Sequence, residues 1–369
     1  MQRGNFPKVA IAHDYLTQRG GAERVVLSLA RAFPEAPIFT TLYDESGTYE
    51  EFRNHDVRTS WLNRVPGAAR HHRFALPFLA LASSSVRIEA ETVIASSSGW
   101  AHGFRVSGRK VVYCHAPARW LYQPRAYLGE DAGFLERLGL RALSRPLKAW
   151  DVRAASSADH YIVNSTVVQQ RVAATYGRKA DLVPAPFPET MRLVTPRAPD
   201  NAWFNRSKPF LLCVSRLLPY KHVDRVLEAV KDRDDVGLVI VGAGPQVSEL
   251  RRASNANVLM LSSLSDEEMR WLYREAAALI AASYEDFGLT PLEAASNGTP
   301  SIVLRAGGFL DTMVEGETAV FFDSPDPASI SDGIDRFFML DWDELVLEAR
   351  ADHFTDSRFH ERIAQAAGL

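Results

Sequence analysis

The chain has 369 residues, long enough for two domains of ordinary size, each with its own core. With 46% hydrophobic and 24% charged residues it is globular, which excludes a disordered or fibrous chain. The net charge of −3 conceals an asymmetry: residues 1–187 carry 24 Lys and Arg against 16 Asp and Glu, a net +8, and the remainder carries −11. A basic half calls for an anionic partner, either nucleic acid or an anionic membrane surface. No run reaches membrane-spanning length, and residues 1–7 lead straight into a strand with no secretory pattern. Cys114 and Cys213 lie in apolar runs and read as buried thiols of a reducing compartment. The expected location is cytoplasmic.

Short apolar runs alternate with helical segments, the pattern of a parallel α/β sheet. The first strand is Val9–Ala12; a loop ending in Gly20-Gly21 follows, then a helix over Ala22–Phe33. In isolation the diglycine is either a tight turn or a place where φ > 0 brings backbone close to a ligand. Arg64, Arg70, His71, His72 and Arg73 precede the apolar Phe74–Leu81. Strands are predicted over Thr92–Ala95, Lys110–Tyr113 and Tyr161–Asn164. His115 follows the second of these, at a strand end from which a side chain reaches a cleft, although a lone His is more often structural. Arg137, Arg141, Arg145, Lys148 and Arg153 are interleaved with Leu135, Leu138, Leu140, Leu143, Leu147 and Trp150. This is either an interfacial amphipathic helix or one whose apolar stripe packs inside its own domain. Val183-Pro-Ala-Pro-Phe-Pro188, with polar residues to Ser207, reads as a linker. The predicted organisation is a first domain over 1–187, a linker over 188–207, a second domain over 208–350 and a C-terminal helix in 351–369 packing back on the first domain.

In the second half, strands are predicted over Phe210–Val214, Gly237–Val241, Val258–Leu261, Ala278–Ala281 and Pro300–Leu304. Arg216 and Lys221 lie five apart after the first of them, as a solvated basic loop or as two cations converging on a diphosphate. Val241-Gly242-Ala-Gly244-Pro245 has Val247 where a third glycine would stand, which excludes a dinucleotide fingerprint. Asp232-Arg-Asp234-Asp235 precedes a strand and reads as a solvated turn, so no metal site is predicted. Ser283-Tyr-Glu285-Asp-Phe287-Gly288-Leu289-Thr290-Pro-Leu-Glu293 reads as strand, turn and helix, with Pro291 suited to the first helical turn. The amides of Gly288, Leu289 and Thr290 make an anion site flanked by carboxylates that accept hydroxyl hydrogen bonds. The residues alone fit an acidic helix start equally well. Arg305-Ala-Gly307-Gly308-Phe-Leu-Asp311 follows a further strand, and its glycines would let the loop close over a ligand.

These strings resemble family GT4, the retaining glycosyltransferases of GT-B fold. Glu285 to Glu293 is similar to the signature E-x-F-G-[LI]-x-x-x-E. Ser215-Arg216-Leu217 through Lys221 resembles the family's G/S-R-L-x-x-x-K, with His222 where members usually place Gly. His13-Asp14-Tyr15-Leu-Thr-Gln-Arg-Gly20-Gly21-Ala-Glu23-Arg24 resembles the H-D-x-L-x-x-x-G-G-A-E-[KR] opening of the WbaZ-like mannosyltransferase branch of bacterial polysaccharide assembly. Tyr113-Cys114-His115-Ala116-Pro117-Ala118-Arg119-Trp120 resembles that branch's Y-C-H-[ST]-P-x-R-[YF]-x-W, with Ala116 replacing the hydroxyl residue. The resemblance runs from His13 to about Asp323.

It implies two doubly wound Rossmann-like domains facing each other across a cleft, the second binding a nucleotide sugar and the first a saccharide or lipid-linked acceptor at the cytoplasmic membrane face. It assigns Glu293 to ribose hydroxyls, Glu285 to sugar hydroxyls, and Arg216, Lys221 and the Gly288–Thr290 amides to the diphosphate. Phe287 lies in that donor turn, Gly20 and Gly21 form a facing loop, and His115 contacts the transferred sugar near its reacting carbon. Retention without a protein nucleophile implies front-face attack by the acceptor hydroxyl, with no cofactor and no metal. GDP-mannose is the favoured donor and a UDP-sugar the alternative. A non-catalytic sugar-nucleotide scaffold would have lost Glu285, Arg216 or Lys221, and all three are present. No RNA-binding signature accompanies the basic half, so nucleic acid is not an expected partner.

Overall fold

The computed structural model describes residues 6–70, 72–123, 134–187 and 189–369, with backbone alone over 72–77, 134–142 and 190–191. The chain divides into two compact units, Met1–Pro186 with Ser357–Leu369, and Phe187–Asp356. In the first, β1 (Val9–His13) leads to α1 (Gly21–Ala32), β2 (Ile38–Thr40) and β3 (Val57–Thr59). Then come α2 (His72–Ser85), β4 (Arg87–Ile88), β5 (Thr92–Ser97), β6 (Arg105–Val106) and β7 (Arg109–Cys114). The unit continues through α3 (Arg119–Tyr122), α4 (Phe134–Ser156), β8 (His160–Val163), α5 (Thr166–Tyr176) and β9 (Asp181–Leu182). Among the described residues the main sheet has seven strands in the order β3-β2-β1-β5-β7-β8-β9, all parallel.

The second unit contains β10 (Phe210–Val214), α6 (Val223–Val230), β11 (Gly237–Val241), α7 (Val247–Ala253), β12 (Val258–Leu261), α8 (Asp266–Glu275) and β13 (Ala278–Ala281). It ends with α9 (Leu289–Ala295), β14 (Ser301–Leu304), α10 (Phe309–Thr312), β15 (Ala319–Phe322), α11 (Pro327–Phe337) and α12 (Glu344–Asp352). Its six described strands are again all parallel, in the order β12-β11-β10-β13-β14-β15. These strands are continuously apolar because both faces are covered. On β10, Leu211 and Cys213 enter one core, and Phe210 and Leu212 the other. In both units the order reverses beside the first strand, β1 against β5 and β10 against β13. Such a reversal opens a crevice at the carboxyl ends of the strands.

Residues 188–207, expected as a linker, are largely built into the second unit. A turn at Ala202–Asn205 sets Trp203 and Phe204 edge-on to Phe210, at 6.1 and 5.8 Å. The last helix, α13 (Asp356–Ala367), belongs almost wholly to the first unit. There Phe359 stacks edge-on with Tyr113 at 5.6 Å, and Arg109 donates to the Ala367 carbonyl at 2.5 Å. Both cysteines are free and buried.

Candidate active site

In the second unit the reversal of strand order brings together loops that are far apart in sequence. The β10 loop carries Arg216 and Lys221, and the β13 loop carries Glu285. The Lys221 ammonium donates to the Glu285 carboxylate, and the Ser283 hydroxyl donates to the same oxygen at 2.6 Å. The Lys221 and Glu285 side chains are 11% and 24% exposed, so water screens their attraction only in part. Arg216 is exposed and donates to the Tyr220 hydroxyl at 3.0 Å, while the Lys221 ammonium lies 5.1 Å from the centre of the Tyr220 ring. Tyr220 therefore holds both cations on one loop. Burial pushes the neighbouring Cys213 thiol up to about 12, which makes it inert.

Gly288 opens α9 at φ 93°, and a Cβ there would lie 2.6 Å from the Phe309 ring. Its left-handed backbone turns the chain so that the first amides of α9, which have no intrahelical partner, end the turn. At the far side of that turn Glu293 accepts a 2.7 Å hydrogen bond from Tyr273, a fully buried residue of α8. His222 stands at φ 53°, so the position after Lys221 is left-handed, which accounts for the usual glycine there.

Several of the predicted turns are packed in place. Phe287, placed among the donor-binding residues, is buried, with its ring edge-on to Phe354 at 6.0 Å; it packs the turn from beneath. Gly307 and Gly308 are pressed on the Glu285–Phe287 backbone and are not a free flap. The Gly308 amide donates to the Glu285 carbonyl at 2.9 Å, and a Cβ on Gly308 would come within 2.3 Å of the Phe287 backbone. The Gly242–Pro245 turn braces the Arg216 loop in the same way, with a Cβ on Gly242 falling 1.9 Å from the Ser215 carbonyl. In the Asp232–Asp235 turn, Arg233 is engaged with Asp235 at 2.7 Å and Asp335 at 2.6 Å. Among the described residues no group of His, Cys, Asp or Glu could hold a metal ion.

The first unit builds a second cluster at its own strand reversal. His13 at the end of β1 is buried beside Glu23 of α1, which lies 3.9 Å away. Burial opposes charge on His13, but Glu23, Asp14 and the Ser96 carbonyl outweigh it, and its imidazole titrates above the ordinary value. His115, after β7, accepts or donates a 2.8 Å hydrogen bond with the Ser96 hydroxyl. Burial, with His13 beside it, holds His115 well below its ordinary value. Asp14 organises the loop after β5, accepting from the amides of Ser98, Trp100 and Ala101 at 2.6, 3.0 and 2.6 Å. Gly20 is extended, not left-handed (φ −127°, ψ 176°), and Gly21 is not in the left-handed region either. What Gly20 supplies is space, since a Cβ there would come within 2.5 Å of Glu23 Oε2.

The basic and apolar segments divide. On α4, Leu147 is buried and Trp150 donates to Ser84 at 2.9 Å, whereas Leu143 and Val152 face outward. Phe78 and Leu81 of α2 are 51% and 64% exposed. The side chains of His71, His72, Arg73, Leu135, Arg137, Leu138, Leu140 and Arg141 lie outside the described residues. Among the described residues no helix is long and apolar enough to cross a membrane.

Sequence reading missed Tyr220, Ser283, Tyr273 and Ser96. The first two lie inside the motifs and were legible as polar neighbours. Tyr273 and Ser96 reach their partners only through tertiary structure.

Comparison with known proteins agrees with this architecture. Residues 197–351 match the model "Glycosyl transferases group 1" and residues 19–186 the model "Glycosyltransferase Family 4". A GDP-mannose-dependent alpha-mannosyltransferase of Mycolicibacterium smegmatis is 30% identical over 213 residues, 52% of each chain. The chain therefore matches about half the length of that relative. The human alpha-1,3/1,6-mannosyltransferase ALG2 is 27% identical over 375 residues, covering 90% of this chain and 87% of its own. Among solved structures, sucrose-phosphate synthase of Thermosynechococcus elongatus has a TM-score of 0.69 at 18% identity, covering 97% of this chain and 98% of its own. Anabaena HepE in complex with UDP has a TM-score of 0.72 at 16% identity, covering 98% and 99%. With the two family models lying end to end on a pair of Rossmann-like parallel sheets, the chain is a GT4-type group 1 glycosyltransferase of GT-B fold.

Proposed function

We propose that the protein transfers mannose, with retention, from GDP-mannose to a saccharide acceptor, lipid-linked and destined for bacterial surface polysaccharide. The observation that carries this reading is the Lys221–Glu285 pair at the β10/β13 reversal, with Arg216 beside it and Glu293 across the α9 turn. In the proposed mechanism, Arg216, Lys221 and the Gly288–Thr290 amides stabilise the leaving diphosphate as its charge develops. Glu285 accepts from sugar hydroxyls and Glu293 from ribose hydroxyls. Both carboxylates are already oriented by hydroxyl donors, Ser283 and Tyr273. Preorganisation of this kind lowers the cost of binding. The acceptor hydroxyl attacks the sugar carbon on the face the diphosphate leaves. The new glycosidic bond forms as the sugar–phosphate bond breaks, the hydroxyl proton passes to the departing phosphate oxygen, and the cations supply charge that other transferases take from a metal.

The mannose donor is supported by the two mannosyltransferase relatives. A UDP-sugar is the second reading, since HepE, of similar fold, was solved with UDP-glucose. The acceptor is assigned to the first unit. Its exposed Phe78, Leu81, Leu143 and Val152, alongside Arg145, Lys148 and Arg153, support contact with an anionic membrane at the cytoplasmic face. Flotation with anionic but not neutral vesicles is the expected result, and equal recovery with both would remove that element.

The function is tested by a thermal-shift panel of GDP-, UDP- and ADP-sugars, followed by transfer to lipid-linked acceptors extracted from bacteria. Stabilisation by GDP-mannose above the others, with mannose incorporated into lipid, is expected. If no nucleotide sugar stabilises the protein and none is consumed, the reading fails.

A further inference from the structure

Outside the donor-binding unit, a buried line of polar groups crosses three adjacent strands of the first sheet. Glu23 Oε1 lies 3.9 Å from His13 Nε2. His13 Nδ1 is 3.1 Å from both the carbonyl oxygen and the hydroxyl of Ser96. That hydroxyl is 2.8 Å from His115 Nε2. Glu23, His13 and Ser96 are at most 2% exposed.

Chemistry fixes the direction of these bonds. The Ser96 carbonyl has no hydrogen to give, so His13 Nδ1 carries one. That N–H also faces the Ser96 hydroxyl, whose own hydrogen must therefore point elsewhere. Among the described residues its acceptor is His115 Nε2. Placing a hydrogen on His115 Nε2 instead would leave the Ser96 hydrogen buried without an acceptor, which folded proteins avoid.

We propose that Glu23, His13 and Ser96 are positioning residues that lock His115 in the neutral tautomer with its hydrogen on Nδ1. His115 Nε2 is then taken up as an acceptor. Nδ1–H, with no hydrogen-bond partner among the described residues, is offered to a ligand as a donor. Neither nitrogen is open to receive a proton, so His115 recognises an oxygen of its ligand and does not act as a general base. The groups around it agree: against the effect of burial, Glu23 and Asp14 favour charge on His13, and charge there disfavours a second charge at His115. Identifying the recognised oxygen with the transferred sugar rests on the glycosyltransferase reading, whereas the tautomer does not.

The test is nitrogen-15 spectroscopy of histidine-labelled full-length protein, with the His115 signals identified by their loss in His115→Gln. The expected spectrum has hydrogen on Nδ1 and a bare Nε2. Ser96→Ala is expected to move His115 toward the Nε2–H form and Ser96→Thr to restore it. In the same variants kcat for transfer falls at least about tenfold in Ser96→Ala, with donor KM changed less than about threefold, and recovers in Ser96→Thr. Hydrogen on Nε2 in the wild type, a tautomer unchanged by Ser96→Ala, or an unchanged kcat overturns the proposal. If the wild type consumes no nucleotide sugar, the glycosyltransferase reading fails while the spectra still decide the tautomer.

Discussion

At the scale of single residues, the Lys221–Glu285 pair changes what a mutation at Glu285 reports. Glu285→Ala strands a largely buried ammonium and should lower stability by about 1–3 kcal/mol, so lost activity would be confounded with lost fold. Glu285→Gln keeps an oxygen for Lys221 and Ser283. It is expected to reduce kcat/KM roughly 10²-fold or more with a stability change under about 1 kcal/mol, read by transfer rate and thermal melting together. His222→Gly removes a left-handed non-glycine residue, and the second unit should gain about 1 kcal/mol, or roughly 2–4 °C in melting temperature. His13 predicts a pH dependence. Its raised folded value means that its contribution is complete below the unfolded value of about 6.5 and is lost as pH rises through the folded one. Glu23→Gln should therefore destabilise more at about pH 6 than at about pH 9, and an equal loss at both would refute the pairing. His115 has the opposite sign: with its folded value depressed, its contribution is present above about 6.5 and fades as pH falls.

At the scale of elements, glycines that sequence reading treats as hinges prove to be points of backbone contact. Gly308→Ala forces a Cβ against the Phe287 backbone and should cost about 1–3 kcal/mol with loss of donor binding. A stability within about 0.5 kcal/mol of wild type would show the loop to be free. The strand–turn–helix carrying Glu285 and Glu293 was legible because one contiguous segment holds the apolar run, the turn glycine and the helix-starting Pro291. The Lys221–Glu285 contact was not, since the two residues stand 64 apart in sequence and meet only through the adjacency of β10 and β13. The strands β2, β3 and β9 were also missed. With two or three residues each, they have too little length to show a period. The α4 stripe, open to two readings in sequence, splits in the structure. Leu147 and Trp150 turn inward and Leu143 and Val152 outward, because a helix packed on one side still exposes the other.

At the scale of the whole molecule, two parallel sheets of matching strand order each gather polar side chains at the crevice where that order reverses. That arrangement was predictable from the alternating pattern of strands and helices. The identity of the proposed nucleotide sugar depends on contacts that no single motif in this chain encodes. Lys221, Arg216 and Glu293 are proposed to form one nucleotide-diphosphate site. The decisive experiment for that site is titration of GDP-mannose into wild type and Lys221→Ala while following thermal unfolding. At about 100 times the dissociation constant a bound donor stabilises by about 2.7 kcal/mol, or roughly 5–10 °C for a unit of this size. That shift is expected in wild type, with at least about tenfold weaker binding in Lys221→Ala. Equal shifts in both proteins, or none in wild type with any nucleotide sugar, would contradict it.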